Sequence, residues 1–223
     1  MMVSFDFLSE PIHIEENTVS VLCLENQLCY RKIVSAFVND TTEGCNIIFS
    51  ENYIPFKIKN NICFIDDFFR LGYNSVILKK IYEQIEKFCN TELQKETVDL
   101  KVHLVNYFEN LVRQFDYDFD FVYDFNFIEL FKLIGLKPVC ETSDLLGSLL
   151  EFILIVNKYT SPKCFVLTNL HLYFSDDEIE IFCKDVVNNH INILILENKK
   201  NFIANKYENV IIFDDDLCEI VEK

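Results

Sequence analysis

The segment Thr18–Val38 constrains the fold most, because its pattern predicts a buried strand followed directly by a helix. Its first part, Thr18–Leu24 (TVSVLCL), is β-branched and apolar at nearly every position, which is typical of a parallel strand covered on both faces. After a short loop, apolar residues recur at helical spacing in Leu28–Val38. A strand–loop–helix unit of this kind predicts a layered α/β fold with a mainly parallel sheet.

The loop in this unit stands where a P-loop would lie, but residues 25–32 (ENQLCYRK) contain no glycine. The P-loop motif GxxxxGK[ST] needs glycines so that the backbone can wrap phosphates. Lys32 alone is a weak signal, and an exposed helix lysine is the simpler interpretation. After the predicted strand Lys163–Thr168, Asn169 stands where a working P-loop enzyme carries a magnesium-binding aspartate. The residues therefore argue against nucleotide hydrolysis.

Short apolar strands alternate with helices at both ends of the chain. Further strands are predicted at Met2–Leu8, Ile12–Ile14, Asn46–Phe49, Phe56–Ile58, Ile62–Ile65, Ile191–Leu196 and Val210–Phe213. Further helices are predicted at Asn74–Cys89, Glu92–Phe115 and Ser143–Lys158, from the capping box at Ser175 to Val187, and after the cap Asp214–Asp216. The long helices indicate a helical domain of residues 71–137 inserted into an α/β domain of residues 1–70 and 138–223.

Charge and cysteine content argue against several classes of protein. A net charge of -16 and a pI near 4.6 oppose generic nucleic-acid binding, since cations that meet phosphates supply much of that affinity. The 9 cysteines form no CxxC pair, and the 4 histidines lie in no recognisable nucleophile motif. The most apolar run, Leu145–Val156, is too short to span a bilayer and contains Glu151, so we expect a cytoplasmic protein with no membrane partner.

Residues 115–135 (FDYDFDFVYDFNFIELFKLIG) form an acidic and aromatic stretch. Aromatic rings occupy every odd position from 115 to 127. The aspartates between the rings are Asp116, Asp118, Asp120 and Asp124. Carboxylates this crowded suit a hard divalent cation such as calcium, but a solvated acidic edge would show the same charge pattern. The run is no EF-hand, because the turn glycine and the final glutamate of that loop are both missing.

The second half of this stretch is predicted to be a separate, capped helix. Asn126 is a favourable N-cap, and Glu129 stands at the capping-box position three residues later. Phe127–Ile134 would form the helix, and Gly135 would end it. Glu129 therefore has a structural role available that needs no metal.

The order of these features resembles that of a known family. A strand–loop–helix with an eroded P-loop, a helical insertion, an acidic segment that runs into IELFKLIGLK, a helix that ends in NKYT, a strand that ends in TN and a late NILILE follow one another along the chain. The N-terminal FDFLSEPIHIEENTVSVLCLEN also matches. This series resembles the type II-A CRISPR-associated adaptation subunit, the small Csn protein encoded beside the RNA-guided effector nuclease.

The resemblance implies a non-enzymatic protein of antiviral defence that acts in the acquisition of new spacers. Members of the family have an α/β head derived from P-loop NTPases and a helical leg. Four copies close into a ring whose lysine-lined hole encircles double-stranded DNA, entering at its ends, and bound calcium holds the DNA-competent shape. The other adaptation proteins and the effector nuclease are the further partners that the resemblance implies.

By motif position, the resemblance implies particular residues for each role. The implied calcium ligands are Asp118, Asp120, Asp124 and Glu129. The implied DNA contacts are Lys132, Lys137, Lys158 and Lys163, against the simpler interpretation of ordinary surface lysines. Two alternatives remain open: a metal-dependent phosphoesterase or nuclease that uses the same aspartates, and a nucleotide-binding interaction domain without hydrolysis.

Overall fold

A computed structural model describes residues 1–39, 46–123, 126–140, 142 and 144–220. The chain divides into two units, one formed by Met1–Leu71 with Cys140–Lys223 and the other by Gly72–Val139. The strands are β1 (Met2–Ser4), β2 (Ile12–His13), β3 (Val19–Leu24), β4 (Ile48–Glu51), β5 (Ile54–Phe56), β6 (Ile62–Ile65), β7 (Cys164–Thr168), β8 (Ile193–Glu197), β9 (Glu208–Phe213) and β10 (Glu219–Ile220). The helices are α1 (Gln27–Val38), α2 (Ser75–Thr91), α3 (Gln94–Val112), α4 (Phe127–Leu133), α5 (Leu145–Thr160), α6 (Leu170–Tyr173) and α7 (Asp176–Asn188), with a 3₁₀ turn at Phe68–Arg70.

The first unit is built on a six-stranded sheet with the order β10-β9-β3-β8-β7-β6. All neighbouring pairs in it are parallel except β10 with β9, which confirms the predicted α/β class with a mainly parallel sheet. All six residues of β3 are buried, as its continuous apolar sequence predicts for a central strand. Parallel strands bring their carboxyl ends to one edge of the sheet, where α/β proteins commonly bind ligands.

A smaller antiparallel sheet, in the order β2-β1-β4-β5, shares its core with one face of the large sheet. Val3 and Phe49 of the small sheet belong to the same buried cluster as Leu22 of β3 and Ile33 of α1. The longer helices α5 and α7 of this unit bury Leu149 and other apolar residues that follow their helical periodicity. The capping box predicted for α7 is confirmed.

The predicted C-terminal helix is wrong. Asp214 Oδ1 accepts hydrogen bonds from the Asp216 N–H at 2.9 Å and the Cys218 N–H at 2.8 Å, and these bonds close a turn. The chain then pairs back on β9 as the antiparallel strand β10. Aspartate favours turns as well as helix starts, because its side chain bonds nearby backbone N–H groups in both settings.

The second unit contains the predicted pair of long helices, α2 and α3, together with α4. Asn74 caps α2 by accepting from two backbone N–H groups, and Tyr82 of α2 is buried, with its hydroxyl donating to the Leu136 carbonyl at 2.7 Å. Along α3, all of which the structure describes, the predicted apolar stripe is largely exposed. Val98 and Val102 are 52% and 51% exposed.

No helix in the described ranges is both long and apolar enough to cross a bilayer.

Candidate functional site

The amino end of α1 stands where a P-loop would bind phosphate, and the protein's own side chain caps it. Asn26 Oδ1 accepts a hydrogen bond from the Cys29 N–H at 2.9 Å. That bond satisfies one of the donors that a helix start would otherwise offer to an anion. Asn26 Nδ2 in turn donates to the Asp215 carbonyl oxygen at 2.6 Å. This helix start is therefore engaged by the chain itself.

The turn that contacts Asn26 carries three consecutive aspartates, residues 214–216. The backbone also joins this turn to the loop after β3, because the Glu25 N–H donates to the Phe213 carbonyl at 2.9 Å. Carboxylates near a helix start oppose a phosphate there, since like charges repel. The geometry thus agrees with the glycine-free sequence in disfavouring a nucleotide at this edge.

Beyond β7, Asn169 occupies the position of the missing magnesium-binding aspartate. It adopts a left-handed conformation with a φ of 52°, and its N–H donates to the Leu196 carbonyl at 2.8 Å. The buried carboxylate at this edge comes instead from the neighbouring strand, where Glu197 ends β8 with 2% exposure. A buried carboxylate is costly unless it is paired, so its partners matter.

Glu197 belongs to a buried charged cluster that sequence spacing does not reveal. His171 Nδ1 lies 2.9 Å from Glu197 Oε1, and His171 Nε2 lies 2.9 Å from Glu208 Oε1. The three side chains are at most 3% exposed. The His171 N–H also donates to Glu197 Oε1 at 3.0 Å, and the Phe202 ring stacks on the imidazole with centroids 3.6 Å apart.

The geometry of this cluster favours a charged imidazole. A neutral imidazole has only one N–H, so the other nitrogen would direct a lone pair at a carboxylate. The contact from Nε2 to Glu208 has the distance of an ion pair, although neither atom makes an aligned hydrogen bond within the described residues. Burial alone would lower the pKa of His171, but the hydrogen bond to Glu197 and the attraction of both carboxylates outweigh burial and raise the pKa to about 9.

A substrate cannot reach this cluster, because the imidazole is only 1% exposed. The cluster therefore has a structural role in the state described here. One sequence signal could have indicated it: the glutamate that ends the apolar strand ILILE, since a charge in such a strand needs a partner. Which histidine supplies that partner depends on the tertiary fold.

The predicted calcium ligands Asp118 and Asp120 are exposed and lie in the connection between α3 and α4, in which residues 113–123 form no regular strand. Asp124 lies outside the described residues. The rings of this connection contact each other locally, as Phe115 and Phe119 do with centroids 5.3 Å apart. Within the described chain, no group of three or more His, Cys, Asp or Glu side chains is arranged to hold a metal ion.

Glu129, the fourth predicted ligand, does not form the expected capping box. Asn126 caps α4 as predicted, accepting from the Ile128 N–H at 2.7 Å, but Glu129 Oε1 lies 2.7 Å from Lys132 Nζ. A cation one turn away on the same helix face competes well for the carboxylate. Gly135, at a φ of 65°, follows the end of α4 as predicted. The calcium candidate Glu129 and the DNA candidate Lys132 thus neutralise each other.

The other predicted DNA-contact lysines differ in their surroundings. Lys163 is half-buried, pairs with Glu51 and lies over the Phe56 ring, 4.7 Å from its centroid. It also borders a polar cavity of about 350 Å³. Lys137 and Lys158 are exposed. Their charges are therefore better placed to meet phosphates than that of Lys163.

The relation to known proteins is clear at the level of the family. The family described as "CRISPR-associated protein (Cas_Csn2)" matches residues 39–217. The chain belongs to the Csn2 family. The resemblance inferred from the order of sequence features is thereby confirmed.

Two curated relatives, both named CRISPR-associated protein Csn2, agree with this assignment. The one from Streptococcus agalactiae is 22% identical over 210 residues, covering 92% of each chain. The one from Enterococcus faecalis is 25% identical over 218 residues, covering 95% of each chain. Both Csn2 relatives therefore align with nearly the whole chain.

Among solved structures, a putative ABC transporter ATP-binding protein from Pyrococcus furiosus superposes with a TM-score of 0.42 and 12% identity. The superposition covers 94% of this chain and 97% of that one. A TM-score this low adds nothing to the Csn2 assignment.

Proposed function

We propose that this Csn2 family protein is a non-enzymatic, calcium-dependent binder of double-stranded DNA ends, and that it acts as a homotetrameric ring in CRISPR spacer acquisition. The observation that carries the proposal is the family match over residues 39–217, together with relatives that align over 92% and 95% of the chain. The α/β unit would be a degenerate P-loop NTPase-like head, and the helical unit Gly72–Val139 would be the leg.

The lack of an enzymatic role is supported by the edge of the sheet where nucleotide chemistry would occur. Asn26 caps the start of α1, the aspartate turn 214–216 lies against it, and Asn169 replaces the metal-binding aspartate. Phosphoryl transfer depends on positioned phosphates and a held magnesium ion. The described residues at this edge neither position phosphates nor offer the aspartate that would hold magnesium.

The calcium requirement is supported by the acidic connection between α3 and α4. Asp116, Asp118 and Asp120 are exposed and form no ion pair within the described part of the chain. A hard divalent cation would relieve their mutual repulsion and suits oxygen ligands. Since the described side chains form no ready metal site, calcium would order this connection as it binds, with Asp124 as a further ligand.

DNA binding by so acidic a protein requires that a few cations be concentrated. Lys137 and Lys158 are exposed, whereas Lys132 and Lys163 are each paired with a glutamate. A ring would present each exposed lysine four times around one duplex, so the local potential could outweigh the net charge. The exposed apolar side chains of α3, Val98 and Val102 among them, offer a surface for contact between subunits.

The proposal is tested by retention of DNA on the immobilised protein. Linear duplex and covalently closed circular duplex of the same sequence are compared in calcium and then in EDTA. We expect retention of the linear form in calcium, loss in EDTA and little retention of the closed circle. Equal retention of both forms, or none in calcium, would contradict an end-entering ring. Recovered DNA is examined for cuts after incubation with magnesium, manganese or calcium, and cleavage would point to a nuclease.

A further inference from the structure

The connection from β8 to β9, residues 198–207, crosses the sheet without a helix. Parallel strands β8 and β9 flank β3, so the connection must return from the carboxyl edge of the sheet to its amino edge. Such crossovers are usually helical. The six residues of β9 span about 20 Å at roughly 3.3 Å per residue, and the ten residues of the connection cover this return with bends and a turn instead of a helix. We call this connection the strap.

The strap is held at its middle and at its end by the cluster around His171. Phe202, in the middle of the strap, is 8% exposed and stacks on the imidazole at 3.6 Å. Near its end, the Asn205 N–H and Nδ2 donate to Glu208 Oε2 at 3.0 and 2.9 Å. Glu208 Oε1 in turn faces His171 Nε2. The same imidazole therefore contacts the strap directly and fixes the carboxylate that anchors it.

The groups that face the cluster come from every element packed against it. Glu197 approaches from β8 and Glu208 from β9, and Lys200 lies with its Nζ 4.5 Å from the Phe202 centroid. From α1, Tyr30 faces Glu197. The pKa of Tyr30 is raised, mainly by burial and further by the charge of Glu197. From α7, Cys183 is the remaining neighbour. The pKa of its thiol is raised, mainly by burial and further by the charge of Glu208.

The imidazolium bridges the two carboxylates, with Nδ1 at Glu197 and Nε2 at Glu208. If His171 lost its proton, both carboxylates would lose this ion pair and would keep only their hydrogen bonds from the His171 backbone N–H and from Asn205. Removing one partner of a buried ion pair is strongly destabilising because the remaining charge is stranded. Opening of the strap would let water reach both carboxylates, because Phe202 of the strap covers the imidazole, and it would require no helix to unfold.

We propose that the strap is a proton-dependent latch: charged His171 holds it against the sheet, and loss of the proton lets it open while the rest of the α/β unit stays folded. The latch is independent of calcium and of DNA. It involves only residues of the α/β unit, so the latch and the ring can be tested separately.

Hydrogen exchange followed by mass spectrometry on the full chain tests the latch. Protection factors, corrected for the intrinsic pH dependence of exchange, are compared at pH 6.5 and just above pH 9, the two sides of the His171 titration. We expect the strap to lose about tenfold in protection per unit of pH between pH 6.5 and about 9, and to level off above pH 9. Peptides from β7 and α5 should stay better protected than the strap at every pH.

Variants identify the group responsible. In His171→Gln the strap should show, at every pH, the low protection that the native strap shows above pH 9. Glutamine keeps a hydrogen-bond donor but carries no charge. His190→Gln removes an exposed histidine, 78% exposed at its side chain, and should leave the pH step unchanged. Phe202→Leu should lower the protection of the strap at every pH, but the change in protection between pH 6.5 and 9 should remain.

Two results would overturn the latch. One is strap protection that does not change with pH in the native protein. The other is strap protection equal to that of β7 and α5 across the pH series, which would mean that the strap opens only when the whole unit unfolds. If His171→Gln fails to fold, the native pH series and an NMR titration of the His171 ring still decide the question.

Discussion

At the scale of single residues, Lys158 and Lys163 lie close in sequence but offer different charges to DNA. Lys158 is exposed at the end of α5, whereas Lys163 pairs with Glu51. We expect Lys158→Gln to weaken DNA binding and to reduce the salt slope of log Kd by about one for each subunit whose Lys158 meets a phosphate. Lys163→Gln should leave that slope nearly unchanged. The measurement is DNA affinity across a salt series in calcium, and equal slopes for both variants would contradict this ranking.

A second residue-scale prediction concerns the pH dependence of stability. The folded pKa of His171, raised to about 9 from an ordinary 6.5, means that the folded state holds the proton more tightly than the unfolded chain. This contribution is complete below pH 6.5 and is lost as pH rises through about 9, and it amounts to about 3 kcal/mol at most. Urea unfolding across this window measures it. In His171→Gln the unfolding free energy should no longer fall between pH 6.5 and 9. A native-like pH dependence in that variant would assign the fall to another group.

Local signals found residues that act on their sequence neighbours, and they missed residues that act across the fold. Asn126 as a cap and Gly135 as a helix end were predictable, because both act within one turn of α4. The partner of Glu129 was not, since the carboxylate could bond a backbone N–H or Lys132. The role of His171 could not be predicted from sequence, because the two carboxylates that contact it come from different strands. Only the order of strands in the sheet brings them together.

At the scale of elements, α5 shows how burial divides an almost wholly apolar helix. Its sequence predicts a helix covered on most sides, but Leu149 is 0% exposed while Leu146 is only half-buried. We expect Leu149→Ala to lower the free energy of unfolding by about 3 kcal/mol, the usual cost of a cavity at a fully buried leucine. Leu146→Ala should cost clearly less. Urea denaturation of both variants measures the difference, and similar losses would indicate that α5 is covered on both faces.

The central parallel strands were easier to predict than the short edge strands and the ends and faces of helices. A continuous apolar run such as β3 has one stable place in an α/β protein, the middle of a covered sheet. The aspartates 214–216 suit both a turn and a helix cap, so the choice depended on β9 being available to pair with β10. The stripe of α3 was read correctly as helical, but periodicity alone cannot say whether its apolar face is covered within one chain.

At the scale of the whole molecule, that exposed face makes the proposed assembly testable. Val102, 51% exposed, lies in the middle of α3, and a carboxylate placed there would be buried without a partner in any interface that covers the helix. We expect the native protein in calcium to elute with a mass four times the 26.4 kDa of one chain. Val102→Glu should shift it to smaller species and weaken DNA retention with it, because a single chain lacks the concentrated lysines of a ring.

Light scattering coupled to size exclusion, with calcium and with EDTA, measures the mass directly. Gln94→Glu is the matched control: it adds the same charge at an exposed position of α3 without altering the apolar stripe, so its assembly should match the native protein. Circular dichroism separates misfolding from dissociation, since a folded monomer keeps its helical signal. A tetramer that survives Val102→Glu would move the subunit contacts away from α3. A native protein that remains a monomer in calcium would contradict the ring, and the cations of one acidic chain would then have to account for any DNA binding.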